Sequence, residues 1–110
     1  MKMNMSDLSP ICGVYAIKNI HNNKVYIGQS IFILSRWTSH IAHLINGIHS
    51  NAFLLKDFQK YGFKAFEFTV LEECSGKERF ARELYWARKY FSDGAELYNM
   101  EKRFSKSEKK

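Results

Sequence analysis

The sequence predicts an α+β domain, with one small three-stranded antiparallel sheet flanked by helices in the order β-β-α-α-β-α. Three observations carry this. Val14-Tyr15-Ala16-Ile17 and Val25-Tyr26-Ile27 are β-branched and aromatic runs on either side of Asn22-Asn23, the pattern of a hairpin. Phe66-Glu67-Phe68-Thr69-Val70 alternates with the period of a half-buried strand. Elsewhere apolar residues recur at three- and four-residue steps, the period of amphipathic helices.

The hairpin forms because asparagine tolerates the positive φ that a tight turn needs. A two-residue turn at Asn22-Asn23 places Tyr15 opposite Ser30 and Tyr26 opposite Asn19. Alternation then groups Tyr15, Ile17, Asn19, Tyr26, Gly28 and Ser30 on one face, and Val14, Ala16, Val25 and Ile27 on the core face. The first face keeps two phenols, an amide, a hydroxyl and the bare Gly28 on one surface, where a substrate is expected to approach the backbone closely. A first helix over 30–46 turns Leu34, Trp37, Ile41, Leu44, Ile45 and Ile48 inward and ends at Gly47. Arg36, His40 and His43 share an arc of about 60° beside that stripe. A second helix over 51–61 buries Phe53, Leu54, Leu55 and Phe58 and closes at Gly62. After the third strand, Ser75-Gly76-Lys77-Glu78 fits a capping box, and the last helix runs to about Phe91. It buries Phe80, Leu84, Ala87 and Phe91, with Glu83 at the margin of that face. Trp37 and Trp86 read as core residues.

The chain has a single-domain length of 110 residues, enough to bury a core without staples. Residues 1–10 read as an N-terminal extension, 11–100 as the working domain and 101–110 as a basic tail. Seventeen Lys and Arg against eleven Asp and Glu give a net charge of +6, which favours a polyanionic partner such as nucleic acid. Cys12 and Cys74 lack CxxC spacing and imply reduced thiols in a cytoplasmic or nucleoid-associated setting. No apolar run suits a signal peptide or a membrane span.

Phosphodiester hydrolysis needs a base, a cation on the phosphate oxygens and usually a divalent metal. Tyr15 or Tyr26 can supply the first, Arg36 the second and Glu83 a ligand for the third. Only ~0.1% of a free tyrosine is ionised at pH 7, roughly 4 kcal/mol against the phenolate. A neighbouring guanidinium, a second phenol and a metal ion all favour the anion. The rival readings are strand aromatics, a surface arginine and a helix-surface carboxylate; Glu72, Glu73 and Glu78 compete with Glu83 as ligand. Zinc held by His40 and His43 lacks neighbouring cysteine ligands.

Taken together, Gly13-Val14-Tyr15, Tyr26-Ile27-Gly28, Arg36, His40, Glu83 within Arg82-Glu83-Leu84-Tyr85-Trp86, and Tyr98-Asn99 resemble the GIY-YIG nuclease family, most nearly its homing and phage-type branch. The resemblance implies a metal-dependent DNA endonuclease using Mg2+, for which Mn2+ substitutes. It implies Tyr15 as general base with Tyr26 assisting, Arg36 on the scissile phosphate and His40 as relay or phosphate contact. Glu83 would bind the metal, and Asn99 would order the site. Gly28, Ser30, His43 and Lys24 are expected to contact substrate, in a monomer or a dimer that forms transiently on DNA. The alternative is a nucleic-acid binding module that keeps the scaffold without turnover.

Overall fold

A computed structural model describes residues 10–99; the N-terminal extension and the basic tail lie outside the described residues, apart from Pro10. Strands β1 (Gly13–Asn19) and β2 (Val25–Ser30) lead into helices α1 (Ile33–Ile45) and α2 (Ala52–Tyr61), then strand β3 (Phe66–Glu73) and helix α3 (Arg79–Ser92). The sheet order is β2-β1-β3 and both pairings are antiparallel. The expected three-stranded class and element order are those of the structure.

The hairpin register differs from the expected one by two positions. Tyr15 pairs with Gly28 and Ile17 with Tyr26, so the two phenols remain on one face. The loop is longer than a two-residue turn: Asn23 alone takes positive φ, at 64°, and Asn23 N–H closes onto Asn19 O at 2.7 Å. Asn19 Oδ1 and Asn22 Oδ1 accept from the backbone N–H groups of His21 and Lys24, two Asx turns that stabilise the wider loop.

Because β1 is central, both sheet faces are covered. Tyr15 and Ile17 pack with Ile33, Leu44, Leu54 and Phe66 under α1 and α2, whereas Val14, Ala16, Val25 and Ile27 pack with Ala87 and Leu97 on the α3 side. The phenol face is therefore largely interior, not an open surface: Tyr15, Asn19 and Ser30 are all buried. A bulge at Val14/Tyr15 in the β1–β3 ladder accompanies the close approach of Gly13 to Glu72, whose carbonyl occupies the space of a Cβ.

Two helices sit at rotations the apolar pattern does not give. On α1 the inward stripe is Ile33, Trp37, His40 and Leu44; Ile45, and Ile48 beyond the helix end, are 66% exposed. On α3 Ala87 is buried with Trp86 and Tyr90 beside it, and Phe80, Leu84 and Phe91 face outward. On α3 the physical reason is a polar anchor. Glu72 Oε1 on β3 accepts from Arg82 Nε at 2.8 Å and Trp86 Nε1 at 2.9 Å, and these two bonds set the roll of the helix. The Ser75–Glu78 capping box forms reciprocally, but it closes the turn before Arg79, where the helix starts. On α2 Leu54 is fully buried, Leu55 and Phe58 are partly so, and Phe53 is exposed. Asn51 caps that helix through Leu54 N–H.

Candidate active site

The chain end defines where the site can open. Leu97 bridges in parallel to Val25, and the Asn99 side chain then takes both backbone groups of Ile27: Ile27 N–H donates to Oδ1 at 2.9 Å and Nδ2 donates to Ile27 O at 2.6 Å. Past Ile27 the β2 edge is uncovered by described residues, and there a cavity of about 250 Å³ begins. Tyr15 (β1), Tyr26 and Gly28 (β2), Arg36, His40 and His43 (α1) and Glu83 (α3) all line it. Three of the expected residues do not. Asn99 holds the strand edge, Ser30 Oγ accepts from Phe32 N–H at the start of α1, and Lys24 Nζ lies 5.7 Å from the Tyr98 ring centroid.

Gly28 also differs from expectation in its purpose. A Cβ at that position would collide with Oη and Cζ of Tyr15, so the missing side chain makes room for the protein's own phenol and not for substrate. Tyr15 is thereby held flat over its ladder partner, with Trp37 edge-on at 6.1 Å.

Sequence reasoning missed His49, a buried residue in the loop before α2 that lines the same cavity. Nothing in its local pattern marks it; its role emerges from a hydrogen-bonded chain whose direction one backbone amide fixes. Asn51 N–H donates to His49 Nδ1 at 3.0 Å, which leaves the proton of the neutral ring on Nε2. His49 Nε2 is 2.7 Å from His40 Nδ1 and must donate there. His40 then carries its proton on Nε2 and donates to Tyr15 Oη, also at 2.7 Å. The stacked rings, 4.9 Å apart, are both neutral at pH 7: burial pushes His40 down to about 3, and burial lowers His49. Tyr15 Oη thus accepts one hydrogen bond and keeps its own proton for another partner.

Burial raises the Tyr15 phenol above its ordinary range, and a charge on Tyr26 or Glu83 raises it further; Arg36 pulls in the opposite direction. Two of the three rival carboxylates are occupied elsewhere, and Glu73 is exposed at the end of β3. Glu72 serves Arg82 and Trp86, Glu78 serves the capping turn, and Glu83 is the carboxylate lining the cavity among the described residues. The described residues contain no cluster of three or more protein ligands for a metal. A single carboxylate in a polar, open cavity fits Mg2+, which keeps most of its water and shares substrate phosphate oxygens.

A family model described as the GIY-YIG catalytic domain matches residues 11–106. This chain belongs to the GIY-YIG family. It is 38% identical over 78 residues to intron-associated endonuclease 1 of Enterobacteria phage T4, covering 69% of this chain and 31% of that protein. The chain thus spans about a third of the length of that curated relative. The structure is similar to that of the catalytic domain of homing endonuclease I-TevI, with a TM-score of 0.69 and 34% identity over 78% of this chain and 96% of the other. A mutant form of the same catalytic domain gives a TM-score of 0.66 and 36% identity over 72% and 82%. In this GIY-YIG domain the two tripeptides form one packing unit: Gly13 admits the Glu72 carbonyl, and Gly28 admits the Tyr15 ring. No helix among the described residues is long and apolar enough to cross a membrane.

Proposed function

We propose that this domain is a metal-dependent endonuclease that hydrolyses DNA phosphodiester bonds. The observation that carries the reading is the convergence of Tyr15, Tyr26, Arg36, His40 and Glu83, drawn from four elements, on one cavity. Tyr15, ionised with its own proton lost to solvent, takes a proton from water as that water attacks the phosphorus, and the ester oxygen departs as an alkoxide that solvent protonates as the P–O bond breaks. Arg36 neutralises the non-bridging oxygens, and Tyr26 orients the nucleophile. His40 acts as a neutral donor that favours the Tyr15 anion, and His49 fixes the tautomer that makes this possible. Glu83 would hold Mg2+, which supplies charge neutralisation at the phosphate when bound. His43 is a phosphate contact at the rim. A single site cuts one strand, so a monomer nicks, and a double-strand break takes sequential nicks or a dimer that forms on DNA.

The basic balance of the chain suits a soluble enzyme working on DNA in the cytoplasm or nucleoid. The deciding experiment incubates plasmid and single-stranded DNA with the protein in Mg2+ or Mn2+. Cleavage by the wild type and its loss in Glu83→Ala are expected. A wild type no more active than Glu83→Ala overturns the nuclease reading, and salt-sensitive binding without cleavage would then point to the binding module.

A further inference from the structure

Resting on that reading, we propose that the backbone N–H of Gln29 is a substrate contact, donating to a non-bridging oxygen of the non-reacting phosphate beside the scissile one. In an antiparallel edge strand, alternate residues turn both backbone groups inward to the ladder or outward to the free edge. Ile27 is outward, because both of its groups are bonded to Asn99. Val25 is outward too, its N–H donating to Glu96 O at 3.1 Å. Gln29 is next in that series, pairs with Val14 in the uninterrupted register, and lines the cavity together with Arg36 and Glu83. The chain end covers the first two outward positions and, among the described residues, leaves the third open at the mouth of the site.

The side chain makes that open position rigid. Gln29 Oε1 accepts from Arg79 Nη1 at 2.7 Å, and Arg79 lies one helical turn before Glu83. An edge strand with no neighbour ordinarily frays. Here a half-buried guanidinium pins it and places a positive charge behind the amide, so an anion meets a donor already in position.

Proline separates the backbone group from the side chain, since an outward-facing edge position is where a sheet tolerates it. Binding of a short duplex is measured by fluorescence anisotropy in the Glu83→Ala background, comparing Gln29→Pro with Gln29→Ala. Affinity about tenfold weaker for the proline variant is expected, the size of one charge-assisted hydrogen bond. With Glu83 restored, the same comparison raises KM about tenfold and leaves kcat within about twofold, as for a contact made equally in ground and transition states. Equal affinities overturn the proposal. Amide exchange at Gln29 in the Glu83→Ala protein gives a check that needs no substitution at Gln29: slowing on addition of duplex supports the contact, and unchanged exchange overturns it. A wild type that binds DNA without cutting it overturns the nuclease reading alone, because the binding comparison still decides Gln29; a protein that binds no DNA overturns both.

Discussion

Gly28→Ala tests the packing unit at the heart of the site. The added methyl would overlap Tyr15 Oη and Cζ, far inside van der Waals contact, and neither side can yield cheaply. Gly28 is fixed by its ladder pairing with Tyr15, and Tyr15 is only 2% exposed, backed by Trp37 and bonded to His40 at 2.7 Å. Overpacking of this kind costs about 1–3 kcal/mol. At roughly 4–8 °C per kcal/mol for a domain of this size, the thermal midpoint falls by about 5–20 °C. A phenol displaced by about 1 Å from its reacting position costs on the order of a hundredfold in rate. Plasmid nicking, measured well below the lowered midpoint, therefore falls far more than the folded fraction does. Adding Tyr15→Phe removes the colliding hydroxyl and restores part of the stability with none of the activity. A Gly28→Ala protein with wild-type melting and wild-type nicking would refute both the packing argument and the placement of Tyr15 as the reacting phenol.

Four further outcomes are expected. His49→Ala leaves His40 Nδ1 without its donor and releases the tautomer, so the nicking rate falls about tenfold or more while circular dichroism is unchanged. His40 is depressed to about 3, below its value of about 6.5 in the unfolded chain, so the unfolded state binds the extra proton. This group's contribution is then fully present above pH 6.5 and is lost at about 1.4 kcal/mol per unit as the pH falls from there toward 3; denaturant melts of His40→Gln should show a shallower acid slope. Tyr15 is raised, so nicking should climb with pH through 7–9 without a plateau, and a flat profile would exclude a phenolate base. Asn99→Ala removes two hydrogen bonds to the Ile27 backbone and should lower stability by about 1–3 kcal/mol in urea melts, with KM and kcat following only as the β2 edge loosens.

The sheet was legible because its signals are local. Alternation in Val14–Ile17, Val25–Ile27 and Phe66–Val70 survives a change of turn length by an even number of positions, so the tyrosines kept their common face although the register moved. The motif residues Tyr15, Tyr26, Arg36, His40 and Glu83 were recoverable for a related reason: each lies on a regular element with a readable face. What escaped depends on contacts distant in sequence. His49 is in a loop, and its meaning depends on Asn51 N–H and on His40 across nine residues. The purpose of Gly28 depends on where the Tyr15 ring falls, thirteen residues away on the partner strand. The outward Phe80 and Leu84 run against apolar periodicity because Glu72 claims Trp86 and Arg82.

That last conflict has a functional logic. Tyr26 and Gly28 belong to the sheet face under α1, while α3 covers the opposite face, so Glu83 can reach the phenols only around the free edge of β2. An α3 that followed its apolar stripe would bury Phe80, Leu84 and Phe91 and roll Glu83 away from that edge. The Glu72 acceptor on β3 and the Gln29–Arg79 bond on β2 grip the helix from both sides of the central strand and oppose the roll. Exposed rings on α3 are the stability cost of presenting one carboxylate across the sheet edge, and the polar anchors are what holds it there.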